Sequence, residues 1–481
     1  MPTIPFLETC PDSLVLHDPR RDTSVTRREL MALANAEAAE ISKELKDDIV
    51  GPVVVGEADP IKVLVHIFAC WAANRTVILV NPALKPAEQL NVLENTGAVH
   101  WLGQTSSEIL AATQQRRQSG AGSDRDTGLL GPDSPALILM TSGTTGVPKG
   151  IVHTIRSLQA RAALNIAVIG SSVMSRTLDI LPMHFGHGLI GNVLTPMAAG
   201  GSIVLLPSPS MNEIAGLGAL IDRHQIGFMS SVPSAWGMIL RLSQAPEQGL
   251  ERVHVGSAPL SMELWRRIAE WSGTDSVYNM FGMTETANWI AGGSLADTHC
   301  EDGYVGSPWG GRFAVLIDDE VREGGRGEVL VSTPSIMSHY LDQPELTAEA
   351  FRGSWFRTGD IGVLSEGRLT LSGRIKNEIN RAGIKILPEE IDMLLERHEA
   401  VAEACAFGIA DRAAGELVAA CVVLAEGANI SSTELQEWCR ERVRDEAVPS
   451  KIWMVDAIPR NDRGKIVRRV VRESVVEGSA N

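Results

Sequence analysis

Short apolar runs rich in β-branched residues alternate with longer helical patterns along most of the chain, and this alternation limits the fold more than any other feature. Val53–Val55, Val77–Val80, Ala136–Met140 and Ile203–Leu206 read as short buried strands. Ile61–Ala73 lies between the first two with the length and spacing of a helix, and another helical pattern runs around Asn212–His224. Strands alternating with helices predict an α/β architecture with largely parallel sheets, because a crossover helix is the usual way back to a parallel neighbour. The 481 residues, at about 150 per domain, suggest two or three domains. Gln114–Pro132, rich in Gly, Ser and Asp, reads as a loop. Near Gly373–Asn377 the character changes. Glycine turns lie upstream, whereas downstream an amphipathic helix over Pro388–Glu399 precedes an apolar strand over Val418–Leu424. The last hundred or so residues therefore read as a compact α+β module behind a hinge.

Charge and cysteine usage narrow the partners. Forty-three basic against 59 acidic residues give a net charge of −16, which argues against nucleic acid or an anionic membrane as the main partner. It does not oppose one anionic small molecule in a locally positive cleft. Cys10, Cys70, Cys300, Cys405, Cys421 and Cys439 are scattered with no C-x-x-C pair, as expected of thiols in a reducing compartment. Met1–Leu7 is too short for a leader and is followed by Glu8. Val63–Ala73, the longest strongly apolar stretch, is interrupted by His66 and is too short to span a membrane. A soluble, cytoplasmic protein is expected, with no sign of a particular oligomeric state.

The densest chemistry lies in Thr141-Ser-Gly-Thr-Thr-Gly-Val-Pro-Lys149-Gly150, directly after a strand. Gly143 and Gly146 let backbone N–H groups approach phosphate oxygens, the hydroxyls of Thr141, Ser142, Thr144 and Thr145 donate, and Lys149 supplies a point charge. It is not a Walker A loop, since Lys149 does not directly follow a glycine and is followed by no Ser or Thr. Nor is there a G-x-G-x-x-G after a strand or a G-x-S-x-G elbow.

This segment resembles the phosphate-binding loop of the adenylate-forming superfamily, which includes acyl-CoA synthetases, non-ribosomal peptide adenylation domains and luciferases. Four more stretches match that family in order. Gly256-Ser257-Ala258-Pro259-Leu260 resembles the adenine-side loop, and Asn279-Met280-Phe281-Gly282-Met283-Thr284-Glu285 the aromatic-Gly-x-Thr-Glu motif. Arg357-Thr-Gly-Asp360 with Gly373-Arg374 resembles the ribose-binding pair, and Asn461-Asp-Arg-Gly-Lys465 the C-terminal lysine loop. The matches run from Thr141 to Lys465, and Val25–Leu30 adds a weaker likeness to the family's opening helix.

The resemblance implies a large N-terminal α/β domain over 1–375, binding nucleotide and acid, and a small mobile α+β domain over 376–481. It implies an acid–thiol ligase in which a small carboxylic acid attacks Mg²⁺-ATP, giving acyl-AMP and pyrophosphate, and coenzyme A then displaces AMP. Phe281 would stack on adenine, Thr284 donate to the α-phosphate, and Glu285 offer a carboxylate oxygen to Mg²⁺. Asp360 would accept from both ribose hydroxyls beside Arg374, and Lys465 would contact the reacting groups. Gly383 would keep the pantetheine path open, and Asn377 would be the hinge. His184, Phe185 and His187 match the family's acyl-pocket segment, where many relatives place the aromatic before the histidine. Trp236, Met283 and Trp289 are the other bulky residues expected there, favouring a short, alicyclic or aromatic acid. A metal on His184 and His187 is the alternative, without an evident third ligand. An amine or a carrier-protein thiol acting in trans are the alternative acceptors. A binding-only descendant would have lost Lys465 or Glu285, and both are present.

Overall fold

The computed structural model describes residues 6, 12–45, 49–118, 131–141, 149–412, 414–461 and 465–476. Among these, two mixed sheets carry the alternation. One holds five parallel strands in the order Val277–Met283, Arg252–Gly256, Phe228–Ser231, Arg176–Asp179 and Ser202–Leu205. Leu14–Asp18 adds in parallel beside the last of these, and Asn288–Ser294 and Thr23–Thr26 close the edges in antiparallel. The other runs His100–Gly103, Val53–Gly56, Val77–Leu79 and Pro135–Thr141 in parallel, then Lys149–Thr154 and His339–Tyr340 in antiparallel.

Burial explains why these strands are apolar without interruption. Val53, Val55, Val77, Leu79, Leu137 and Leu139 face a core that also takes Leu16, Ile203 and Leu205 of the first sheet, so it lies between the two sheets. The intervening residues Val54, Ile78 and Ile138 face the opposite way, into a cluster with Val92, Leu93 and Ile109 of the covering helices. Side chains alternate across a strand, so a strand covered on both faces must be apolar at both periods. The helix Pro60–Ala72 sits inside the shared core, capped by Asp59, whose carboxylate accepts from the Ile61 and Lys62 amides.

Two expectations need correction, and a third is refined. The sheets are not all largely parallel. A third sheet over Tyr304–Arg374 is antiparallel throughout; most of its strands follow one another through short turns, while Gly325–Ser332 and Trp355–Ser365 are joined by an excursion that carries the strand His339–Tyr340 and the helix Pro344–Glu349. The expected loop from Gln114 begins too early, since the helix Ser107–Gln118 runs through it and Arg117 Nε donates to the Val99 carbonyl at 2.9 Å. Residues 119–130 lie outside the described residues. The pattern around Asn212–His224 is two helices, Met211–Ala215 and Leu217–His224, with Gly216 between.

Beyond Gly373 the chain builds a separate sheet from Ile379–Arg381, Ile384–Ile386, Gly415–Leu424, Val401–Asp411 and Lys451–Met454. It has its own apolar clusters, packed by the helices Pro388–Glu396, Ser432–Arg440 and Arg468–Val476. Its contacts to the rest include the ion pairs Arg397–Asp302 (2.6 Å) and Arg326–Glu390 (2.7 Å). The Arg326–Glu390 pair is exposed on both sides and holds little energy, whereas the Asp302 carboxylate is largely buried. No helix among the described residues is long and apolar enough to cross a membrane.

Candidate active site

The first wall of the site grows from the Pro135–Thr141 and Lys149–Thr154 pair, where Thr141 and Lys149 lie opposite one another. Ser142, Gly143, Thr144, Thr145 and Gly146 fall outside the described residues. Lys149 Nζ sits 5.4 Å above the ring of Tyr340, and the Tyr340 hydroxyl donates to Glu285 Oε1 at 2.9 Å. Burial and the Glu285 charge both push the Tyr340 phenol upward, so it stays a neutral donor. Glu285 rides on a tight turn, Thr284–Thr286, held from below. His153 Nε2 donates to the Thr284 carbonyl (2.7 Å), and the Met337 amide donates to the Glu285 carbonyl (2.7 Å). Burial keeps His153 neutral, with its pKa pushed down to about 4.

Glycine is required at 282. A Cβ there would lie 2.3 Å from the Asn288 carbonyl oxygen. Gly282→Ala is therefore expected to cost about 1–3 kcal/mol. Urea denaturation checks it, as a lower midpoint with unchanged slope.

The second wall is the ribose-type pair. Asp360 and Arg374 are register partners on adjacent antiparallel strands, with Arg374 Nε donating to Asp360 Oδ1 at 2.6 Å and Nη2 to the Thr358 carbonyl at 2.9 Å. Burial raises the pKa of Asp360, against the opposing pull of Arg374 and Lys465. The Lys465 charge also bears on His187, so it is felt both at the second wall and on the acid side. The Lys465 amide donates to Asn461 Oδ1 at 3.0 Å. Asp360→Ala is expected to raise KM for ATP by the equivalent of about 1–3 kcal/mol, with kcat largely kept. An unchanged ATP dependence would remove Asp360 from the nucleotide site.

The acid side centres on His187. Its Nδ1 lies 2.9 Å from Ser257 Oγ and its Nε2 2.7 Å from Ser230 Oγ, so both nitrogens serve hydroxyls and neither is left for a metal. Desolvation, then the charge of Lys465, push its pKa down to about 3. His187 opens a π-helical segment over 187–194, a geometry often found at functional sites. The segment is pinned by Asn192, which donates to Asp179 Oδ1 (3.0 Å) and the Ser230 carbonyl (3.1 Å). Burial pushes the Asp179 carboxyl up to about 7. Ser257 is held at φ +69°, a strained value for a residue with a Cβ; Ala258 and Pro259 continue that turn.

Trp289 meets His187 edge-on at 5.4 Å, and Met283 packs between two apolar clusters. His184 and Phe185 pack on each other at 4.0 Å between ring centroids. Trp236 does not join this group. It is fully buried in the core on the other face of the first sheet, 5.5 Å from Trp271, because Leu178, Met229 and Val253 direct that face into the helices. Phe281 is 6% exposed and packs 6.2 Å from Phe313, so it serves the core first and leaves little ring for an adenine. Asn279 donates to the Tyr304 carbonyl, and Met280 is buried beside Trp289 and Trp309.

The family profile described as AMP-binding enzyme matches residues 6–341, and that described as AMP-binding enzyme C-terminal domain matches 390–465. The chain belongs to the AMP-binding enzyme family. It is similar to the oxalate–CoA ligase of Arabidopsis thaliana, 32% identical over 72% of this chain and 68% of that protein. It is also similar to the sulfoacetate–CoA ligase of Cupriavidus necator, 34% identical over 70% of this chain and 66% of the relative. The matched stretches thus span about two thirds of those relatives' lengths. Among solved structures, the o-succinylbenzoate coenzyme A synthetase of Bacillus subtilis in complex with ATP and magnesium ion superposes with a TM-score of 0.83. It is 25% identical and covers 97% of this chain and 98% of that one.

For this AMP-binding enzyme the magnesium fit rests on one carboxylate. Glu285 is a hard oxygen donor beside Lys149, which suits Mg²⁺ that arrives with a nucleotide and keeps phosphate and water oxygens as its other ligands. Five residues described in the site carry no sequence motif: Tyr340, His153, Ser230, Asp179 and Asn192. Gly383 forms the turn between Ile379–Arg381 and Ile384–Ile386 at φ +88°. A Cβ added there would meet no heavy atom within 4 Å, so the requirement for glycine is conformational. Asn377 ends a 3₁₀ turn and donates through Nδ2 to Glu389 Oε1.

Proposed function

We propose that this AMP-binding enzyme activates a short carboxylic acid with ATP and passes it to coenzyme A. In the first step a carboxylate oxygen bonds to the α-phosphorus as the bond to pyrophosphate breaks. In the second, the thiol sulfur bonds to the acyl carbon and AMP leaves. The observation that carries the reading is the reach of Lys465 to both Asp360 and His187. Lys465 is exposed in this arrangement, and its charge bears on the ribose-type carboxylate and on the acid pocket alike. Lys149 and Lys465 would lower the repulsion between two anionic reactants, and Thr284 would donate to the α-phosphate. Mg²⁺, held at Glu285, would neutralise charge on the departing pyrophosphate.

The bulk of Trp289 against His187 supports a short acid, as do the oxalate and sulfoacetate in the relatives' names. Those names also favour coenzyme A over an amine or a carrier-protein thiol. We take 1–375 as the catalytic body and 376–481 as the mobile part, hinged at Asn377. The buried, unpaired thiols of Cys70, Cys405, Cys421 and Cys439 support a cytoplasmic setting. The test is pyrophosphate release across a panel of carboxylic acids, followed by product analysis with coenzyme A, amines or a carrier protein as acceptor. Release that no acid stimulates overturns the adenylation; amide or carrier-bound product without thioester overturns the acceptor.

A further inference from the structure

Buried hydrogen-bond donors without a protein partner gather on the acid side of the first sheet. Arg252 and His254 are alternate residues of the strand Arg252–Gly256 and so share one face. Arg252 Nε donates to His254 Nε2 at 2.9 Å, which leaves the proton of the neutral imidazole on Nδ1. That Nδ1, Arg252 Nη2 and Trp289 Nε1 are all buried and unpartnered. The Trp289 ring is 4.8 Å from His254 and 5.4 Å from His187, so the rings of this group adjoin the residue that faces Ser257.

Arg252 is the unusual member. It is 8% exposed, its guanidinium carbon lies 3.8 Å from the centroid of the Tyr278 ring and 5.7 Å from that of Trp309, and Nη1 reaches only the Val168 carbonyl at 3.4 Å. No carboxylate pairs with it among the described residues, and burial with no countering anion pulls its pKa down. A buried cation is costly unless an anion joins it. Water could satisfy the donors but would not balance the charge. Unpartnered acceptors also lie on this side of the sheet, at Asp179 Oδ2 and Asn192 Oδ1, but at Arg252, His254 and Trp289 the unpartnered atoms are all donors, so the group missing there is an acceptor, and the charge of Arg252 makes that acceptor an anion.

We propose that the acid carries a second anionic group, a carboxylate or a sulfonate, received by Arg252, His254 and Trp289 while its reacting carboxylate lies on the nucleotide side of His187. The inference rests on the ligase reading above and narrows its substrate to short dicarboxylic or sulfo-acids.

The test compares each diacid with a neutral isostere by pyrophosphate release. Malonate is set against malonamate, succinate against succinamate, and sulfoacetate against methylsulfonylacetate. The wild type is expected to prefer at least one anionic member by tenfold or more in kcat/KM, and the favoured pair separates carboxylate from sulfonate. In Arg252→Met that preference is expected to collapse toward one, and Arg252→Lys should restore part of it. A merely structural role for Arg252 would lower both members of a pair equally. The wild-type comparison stands even if Arg252→Met does not fold. Equal use of acid and isostere, or release with monocarboxylic acids alone, overturns the anion seat and leaves the ligase intact. No release with any acid overturns both.

Discussion

Lys465→Ala is expected to cut pyrophosphate release by roughly two to three orders of magnitude, the worth of about 3–4 kcal/mol for a charge-stabilising donor in a water-poor site. Thioester formation from supplied acyl-AMP should stay near normal. In the first step a carboxylate must approach an anionic α-phosphate, and an ammonium touching both lowers the repulsion where it peaks. In the second step the thiol needs the space that the lysine loop occupies. The rival explanation is that Lys465 is one interchangeable charge in the basic stretch Arg460–Arg472. The structure argues otherwise for three of its neighbours, which are committed elsewhere, while Arg463 lies outside the described residues. Arg460 pairs with Glu403 (2.9 Å), Arg468 with Asp392 (2.5 Å) and Glu389 (3.3 Å), and Arg469 with Glu473 (2.8 Å). Lys465→Arg tests the compact ammonium against charge alone, since arginine keeps the charge in a planar fork. Near-normal pyrophosphate release from Lys465→Ala would end the catalytic assignment.

What the sequence discloses follows from how local each signal is. Strands such as Val53–Gly56 and helices such as Pro60–Ala72 are encoded by their own apolar spacing, and are legible. The antiparallel sheet over Tyr304–Arg374 is not, because its pairing is set by turns and by register between strands. Asp360 and Arg374 can be found because a motif places both within fifteen residues. Tyr340 stands 55 positions from Glu285, in an unremarkable context, and only the fold brings its hydroxyl to that carboxylate. The Asp179–Asn192–Ser230–His187 chain is likewise assembled from three separate elements. Trp236 belongs to the core and not the pocket, and bulk alone cannot tell the two apart: the neighbouring strands decide the face, and they point it at Trp271. Arg252 and His254 carry no motif at all. Their meaning appears only when burial is known and their missing partners can be counted.

Asn377→Pro is expected to slow the thioester-forming step roughly tenfold or more while acyl-AMP formation stays within a few-fold of wild type, because proline fixes φ near −65° and the proposed hinge must change it. In the present arrangement Asn377 ends the 3₁₀ turn Ile375–Asn377, whose usual φ of about −50 to −70° accommodates proline. The Lys465 charge bears on Asp360 and His187 in this same arrangement, so under the proposed function the conformer that proline favours would be the one suited to the first step. Proline also deletes the Asn377 Nδ2 bond to Glu389, on the first turn of the helix Pro388–Glu396. Losing that tie by itself would loosen the junction and free the movement. Asn377→Ala separates the two effects, since alanine removes the tie and leaves φ free, and it should keep the second step fast. Single-turnover measurements of acyl-AMP formation and of its consumption by coenzyme A, made on both variants with folding checked by circular dichroism, decide the matter. If proline slowed both steps equally, or if alanine slowed the second as much as proline did, the backbone at 377 would not be what turns.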